Sequence, residues 1–312
     1  MDCLTKARNI EQLELLSNYK IDFESFMKIA DLKTLKCLKL SVDYRCEIPP
    51  EFISKIADHG CKLETIELKN YSTNDPHKME EAFDKFFENR SNTLRNFIIL
   101  LDKYEKPTNI LKNMTLCQNL EEFSATCHKC VIKQLPNISE MLIIKRLMFA
   151  RVNMPKTFHD ITDLLKKGRF PLLERLCIQT VNEKYGENLE GIKFKTGEFL
   201  ESLLKNSPFL KSIHFLGYNV WDVSNEFLFK IIKNTNIYIN FGKVTIDYDC
   251  KVGLILSDKY KRNARQLSME QYLLDHDISV FDKYQKMKAD FSIWFEEKSN
   301  WKSFGCMKAL HD

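Results

Sequence analysis

The chain has 312 residues, 44% of them hydrophobic and 29% charged, with a formal net charge of +4. These values exclude a collagen-like, disordered or disulfide-scaffold polypeptide and leave enough chain for a sizeable core without covalent staples. So small an excess, spread over 47 basic and 43 acidic side chains, concentrates no field of the kind a phosphate backbone needs, and nucleic acid is not an expected partner.

Met1 to Arg8 is polar and lacks the apolar stretch of a signal peptide, and apolar runs such as Phe97 to Leu101 are far too short to span a bilayer. The chain is therefore expected to have no membrane contact and to reside in the cytoplasm or the nucleus. Ten cysteines, scattered from Cys3 to Cys306 without small-domain spacing, are expected as reduced thiols, several of them buried.

From Ile10 onward one pattern recurs, apolar residues at positions x, x+3 and x+5. It appears as Ile10/Leu13/Leu15, Leu35/Leu38/Leu40, Leu63/Ile66/Leu68, Leu94/Phe97/Ile99, Leu120/Phe123/Ala125, Ile144/Leu147/Phe149, Leu173/Leu176/Ile178, Leu210/Ile213/Phe215 and, more weakly, Phe241/Val244/Ile246. The starts lie roughly 29 residues apart on average. Each triplet ends in period-two alternation, which predicts a short strand.

Between triplets the period becomes helical: Phe23, Phe26, Met27 and Ala30 share a face, then Phe52, Ile53, Ile56 and Ala57, then Phe83, Phe86 and Phe87, then Phe158, Ile161, Leu164 and Leu165. Phe199-Leu200 with Leu203-Leu204 and Phe227-Leu228 with Ile231-Ile232 repeat the motif, and stop signals follow at Lys166-Lys167-Gly168 and Asn206-Ser207-Pro208. A strand and helix this short cannot bury their apolar faces alone, so successive units must stack. Past Cys250, Val252, Leu254 and Leu256 predict a last strand, and Val280, Tyr284, Met287, Phe291 and Trp294 predict a helix with one broad apolar face. Residues 1–250 are thus expected to form the repeat body, and residues 251–312 a last strand and helical cap.

The triplets resemble the consensus L-x-x-L-x-L-x-x-N/C-x-L of the leucine-rich repeat family. Unit length and long helices are similar to its ribonuclease-inhibitor-like and F-box-associated subclass. The resemblance covers about Ile10 to Cys250. It places the consensus turn residue at Asn18, one place late at Asn153, Asn182, Asn219 and Cys250, and one early at Asn70 and Cys127. It implies an α/β solenoid curved like a horseshoe, parallel strands on the concave face and helices on the convex one.

Chemistry-bearing constellations are sparse. Cys127-His128-Lys129-Cys130 is the one C-x-x-C, with Cys117 nearby, and it falls where the family tolerates a turn cysteine; zinc needs further ligands, so neither metal nor cofactor is expected. No nucleophile elbow, H-E-x-x-H or phosphate loop occurs, and acidic pairs such as Glu80-Glu81, Glu121-Glu122 and Glu296-Glu297 read as solvated faces, so the chain is not expected to be an enzyme.

The residue between the second and third apolar positions of each triplet points away from the core: Glu14, Lys39, Glu67, Ile98, Ser124, Met148, Cys177, His214 and Thr245. An apolar middle rimmed by charge predicts a protein-docking face, with Lys39, Glu67, Ile98, Ser124, Met148, Cys177 and His214 as its partner-binding residues. By resemblance this is the substrate-recognising part of an F-box protein, an adaptor of a ubiquitin ligase that would contact a Skp-family adaptor. With the first triplet at Ile10 no F-box is expected before it, which leaves a free-standing scaffold or inhibitor as the alternative.

Overall fold

A computed structural model describes residues 9–17, 20–42, 46–59, 62–71, 73, 75–101, 111–126, 142–153, 156–166, 170–181, 194–216, 221–242 and 264–299. The chain divides into two compact units, Met1–Ile144 and Lys145–Asp312. In the first, β1 (Gln12–Leu16), β2 (Cys37–Ser41), β3 (Thr65–Tyr71), β4 (Asn96–Leu101) and β5 (Glu122–Thr126) alternate with α1 (Phe23–Ala30), α2 (Pro50–Asp58), α3 (Pro76–Arg90) and a 3-10 turn at Met114–Leu116. In the second, β6 (Arg146–Asn153), α4 (Lys156–Lys166), β7 (Arg175–Val181), β8 (Phe194–Lys195), α5 (Thr196–Asn206), β9 (Ser212–Leu216), β10 (Trp221–Asp222), α6 (Asn225–Asn234) and β11 (Tyr238–Gly242) precede α7 (Ala264–His276) and α8 (Ile278–Ser299).

Among the described residues every strand pairing within a unit is parallel. The apolar positions of the triplets meet residue for residue: Leu13, Leu38, Ile66, Phe97 and Phe123 in the first unit, and Leu147, Leu176 and Ile213 in the second. This α/β architecture agrees with the strand–helix alternation read from the sequence. Among the described residues no helix is long and apolar enough to cross a membrane.

Local chemistry starts and stops the helices. Asp22 caps α1 by accepting from the Ser25 N–H at 2.7 Å, and that bond with the Ser25 hydroxyl holds its carboxyl below the usual range. Asp75 and Ser224 cap α3 and α6 in the same way, while Pro50 and Pro76 open α2 and α3 with φ already set. α4 ends at Lys166 and α5 at Asn206, where the stop signals stand. The helices face the apolar side of the sheet, as the ring contacts of Phe83 and Phe87 with Phe97, and of Phe199 with Phe215, show. Phe23 departs from the predicted face: it is the first residue of α1 and remains 52% exposed, while Phe26, Ile29 and Ala30 carry the burial.

Within each unit, carbonyls at helix C-termini are satisfied by side chains later in the chain. Lys55 Nζ donates to Met27 O and the His59 ring bonds Ala30 O at 2.6 Å; Arg90 Nη2 donates to Ile56 O at 2.7 Å and Ala57 O at 2.9 Å, and also to His59 O. Asn206 does the same for Lys166 O, and Lys283 for Ile232 O. These donors replace the hydrogen bonds that four terminal carbonyls of each helix lack.

A second device, between consecutive repeats, sits one residue past the triplet start. The carbonyl of Glu11 accepts from Lys36 and Cys37 N–H, that of Lys36 from Glu64 and Thr65, that of Glu64 from Arg95 and Asn96, and that of Arg95 from Glu121 and Glu122. The side chains at this position alternate in sign through eight triplets: Glu11, Lys36, Glu64, Arg95, Glu121, Lys145, Glu174, Lys211. Neighbours pair, Lys36 with Glu11 at 2.8 Å, Arg95 with Glu121 at 2.9 Å and Lys211 with Glu174 at 2.8 Å. The pairs are exposed, so their weight lies in fixing register rather than in stability. Lys36→Glu is expected to line up three acids and lower the melting temperature at low ionic strength, with the deficit closing in high salt. A salt-independent deficit would mean that the charge does not act through this ladder.

The outer edge of β11 is closed by α7 and α8. The Phe241 N–H donates to Gln266 Oε1 at 2.8 Å, Tyr284 OH donates to Ile239 O at 2.8 Å, and Gln266 Nε2 donates to both Tyr284 OH and Glu270 Oε1. Lys288 pairs with Glu270 at 3.0 Å. Val280, Tyr284 and Met287, on the predicted apolar face of α8, are buried. Gln266→Leu strands a buried backbone N–H and is expected to cost about 1 to 3 kcal/mol in chemical denaturation. The strand expected at Val252 to Leu256 and the boundary at Cys250 lie outside the described residues.

Candidate functional site

Strand alternation turns one row of side chains to the sheet face opposite the helices, and the pairing aligns it. Glu14, Lys39, Glu67, Ile98 and Ser124 are register partners in the first unit, as are Met148, Cys177, His214 and Asn240 in the second. The ninth member is Asn240, not Thr245: the strand runs Tyr238–Gly242, five residues before the alternation that mimics it at Phe241 to Ile246. Thr245 itself lies outside the described residues.

Exposure along the row departs from expectation. Glu67, Ile98, Ser124, Cys177 and His214 are all buried, Ile98 to 2% and Cys177 to 0% exposure, so the apolar middle does not offer Ile98 and Cys177 to solvent. Lys39 and Met148 are half-buried and Glu14 is exposed. Register neighbours on adjacent strands stand about 5 Å apart and shield a short side chain between longer ones, as Met148 and His214 flank Cys177. Glu67 is paired with Lys69, two residues along the same face.

The structure brings a cysteine and a histidine together that lie far apart in sequence, Cys177 and His214. Burial pushes the Cys177 thiol up to about 12. Burial first, and the nearby Arg175 charge second, push His214 down to about 3. Both side chains are thus neutral near pH 7, whereas nucleophilic chemistry draws on a thiolate. Asn240 Nδ2 approaches His214 Nδ1 at 3.3 Å, and the Tyr238 ring packs edge-on to it.

His214 gives the unit a pH response. Its native pKa lies below that of the unfolded chain, so the stability it contributes is complete above about pH 6.5 and is lost as pH falls toward 3. The slope is expected to be roughly 1 kcal/mol per pH unit within that window, and His214→Gln is expected to flatten it in denaturant titrations across pH. An unchanged slope in the variant would remove His214 as its source.

Two further residues of this face were not singled out from sequence. Gln179 and Ser212 are fully buried, and neither the Gln179 amide atoms nor the Ser212 hydroxyl has a hydrogen-bond partner. Their position is set by strand parity, but nothing in the local pattern marks them. Cys127, His128 and Cys130 lie outside the described residues, as do the consensus turn positions Asn18, Asn182, Asn219 and Cys250; the side chains of Asn70 and Asn153 are likewise not described. Among the described residues no three His, Cys, Asp or Glu side chains are grouped to hold a metal ion. Cys117 is buried and its thiol is pushed up to about 12 by that burial. A groove among the helices of the first unit is lined by Met27, Glu51, Lys55, Asp58, Lys78 and Lys85, of which Lys55 pairs with Asp31 and Lys85 with Asp58.

The fold and face so described define a class, an α/β chain of stacked strand–helix pairs with a parallel sheet. No protein-family model matches the chain, and neither does any curated protein.

Proposed function

We propose that the chain is a leucine-rich-repeat solenoid and that the sheet face opposite its helices docks a protein partner, in the manner of the substrate-recognising repeats of F-box proteins. The observation that carries this reading is the residue-for-residue stacking of the triplets within each unit, because a repeated strand with constant register yields a ruled surface whose side chains vary while its backbone does not. The contacts fall to the members of the row that reach solvent, Glu14 and Lys39 in one unit and Met148 and Asn240 in the other.

Co-purification of the full chain with a Skp-family adaptor, followed by size-exclusion chromatography, tests the ligase connection. A stable complex supports it. Its absence removes the adaptor link and favours a free-standing scaffold or inhibitor, for which the same face remains the contact surface.

A further inference from the structure

In the second unit β7 is flanked by β6 and β9, whereas α7 and α8 close the edge of β11 as a terminal layer. In a stacked fold such a layer opens at a lower free energy than the layers inside it. The attachment rests on buried Met269, Leu273, Val280 and Met287 and on the Gln266 and Tyr284 hydrogen bonds to β11. Leu267, Leu274 and Ile278 add little to it, being 50%, 42% and 64% exposed.

Tyr284 also reaches the sheet face. Its ring lies 5.3 Å from that of Tyr238, and the Tyr238 ring lies 5.7 Å from that of His214, so a line of three rings joins the cap to a buried histidine. The groups facing His214 are Arg175 and Cys177 on β7 and Tyr238 and Asn240 on β11, with Tyr284 of α8 behind Tyr238. Burial keeps Cys177 and Tyr284 neutral, and the Arg175 charge opposes a second positive charge on the imidazole. The acid of the cap, Glu270, is engaged by Gln266 and Lys288. The closed arrangement therefore holds His214 neutral, and Tyr238, seated against Tyr284, walls it off on the β11 side.

We propose that the α7–α8 cap is an acid-released closure: its departure from β11 frees Tyr238, admits water to His214, and is drawn forward by the proton that His214 then takes up. The device does not depend on the docking role given to the sheet face. In the closed state His214 titrates at about 3, and a solvated imidazole titrates at about 6.5, so the open state binds the proton more tightly. The open population accordingly rises as pH falls through 6.5 and levels off near 3. From about pH 7.5 to about pH 5, a full return to the solvated value favours opening by about thirtyfold.

Native-state hydrogen exchange of the full chain, read by mass spectrometry at the two pH values and corrected for intrinsic exchange rates, tests this. At neutral pH the amides of α7 and α8 are expected to be less protected than those of β7, and on acidification to lose a further factor of about ten to thirty. His214→Gln cannot take up the proton and is expected to abolish that further loss. Glu270→Gln keeps an acceptor for Gln266 while removing the acid of the cap, and is expected to retain it. Cap protection equal to that of β7 would mean that the helices open only with the whole unit, and cap protection unchanged by acid would mean that opening leaves His214 enclosed; either result overturns the proposal. So does an acid response that Glu270→Gln abolishes, since the proton would then belong to Glu270. The wild-type and Glu270→Gln measurements decide the matter even where His214→Gln fails to fold.

Discussion

Phe97→Ala is expected to lower the unfolding free energy of the chain by about 3 to 5 kcal/mol. Phe97 is fully buried at the centre of an aromatic cluster: the Phe87 ring lies 5.1 Å away and the Phe83 ring 6.0 Å away, both edge-on, and the Phe123 ring of the next strand is stacked nearly parallel at 6.3 Å. Truncation removes the transfer free energy of the ring and opens a cavity where α3, β4 and β5 meet, and the stacked neighbours have no flexible atoms with which to fill it. Denaturant titration reads the loss. A cost below about 1 kcal/mol would mean that the cluster is loosely packed and that the first unit draws its stability from elsewhere.

The second large effect separates the two faces of β7 and β6. Leu176, fully buried on the helix side, is expected to cost about 2 to 5 kcal/mol on replacement by alanine. Met148→Glu is expected to weaken partner binding while leaving the fold in place, because Met148 stands half-exposed on the opposite side. Thermal melting of both variants checks the pair; equal loss of fold in the two would place Met148 in the core.

Much of this architecture was legible because strand alternation and helical period are local. Leu38, Ile66, Phe97 and Phe123 were aligned from spacing alone and are register partners in the fold. The ninth strand was misplaced because its triplet, Asn236/Ile239/Phe241, has a polar residue at the first position, and the apolar spacing Phe241/Val244/Ile246 drew the register away. Alternation also gives the direction of a side chain but not what stands beside it, so Ile98 and Cys177 read as surface and are buried. Phe23 shows the reverse error: helical period set it on the apolar face, but the first residue of a helix lies beyond the end of the contact. The carbonyl caps made by Lys55, His59 and Arg90 join residues 28 to 34 apart and leave no local trace. The alternating charges were present in the sequence all along, yet they become visible only once the triplets are laid beneath one another.

That alternation constrains how such a chain can change length. Excising residues 36–63 would bring Glu11 against Glu64, two acids on neighbouring strands, whereas excising residues 36–94 would bring it against Arg95 and preserve the pairing. Loss of one repeat would thus set like charges side by side on neighbouring strands, whereas loss of two would keep opposite charges adjacent, so the sign of one side chain per repeat encodes the order in which the strands fit together.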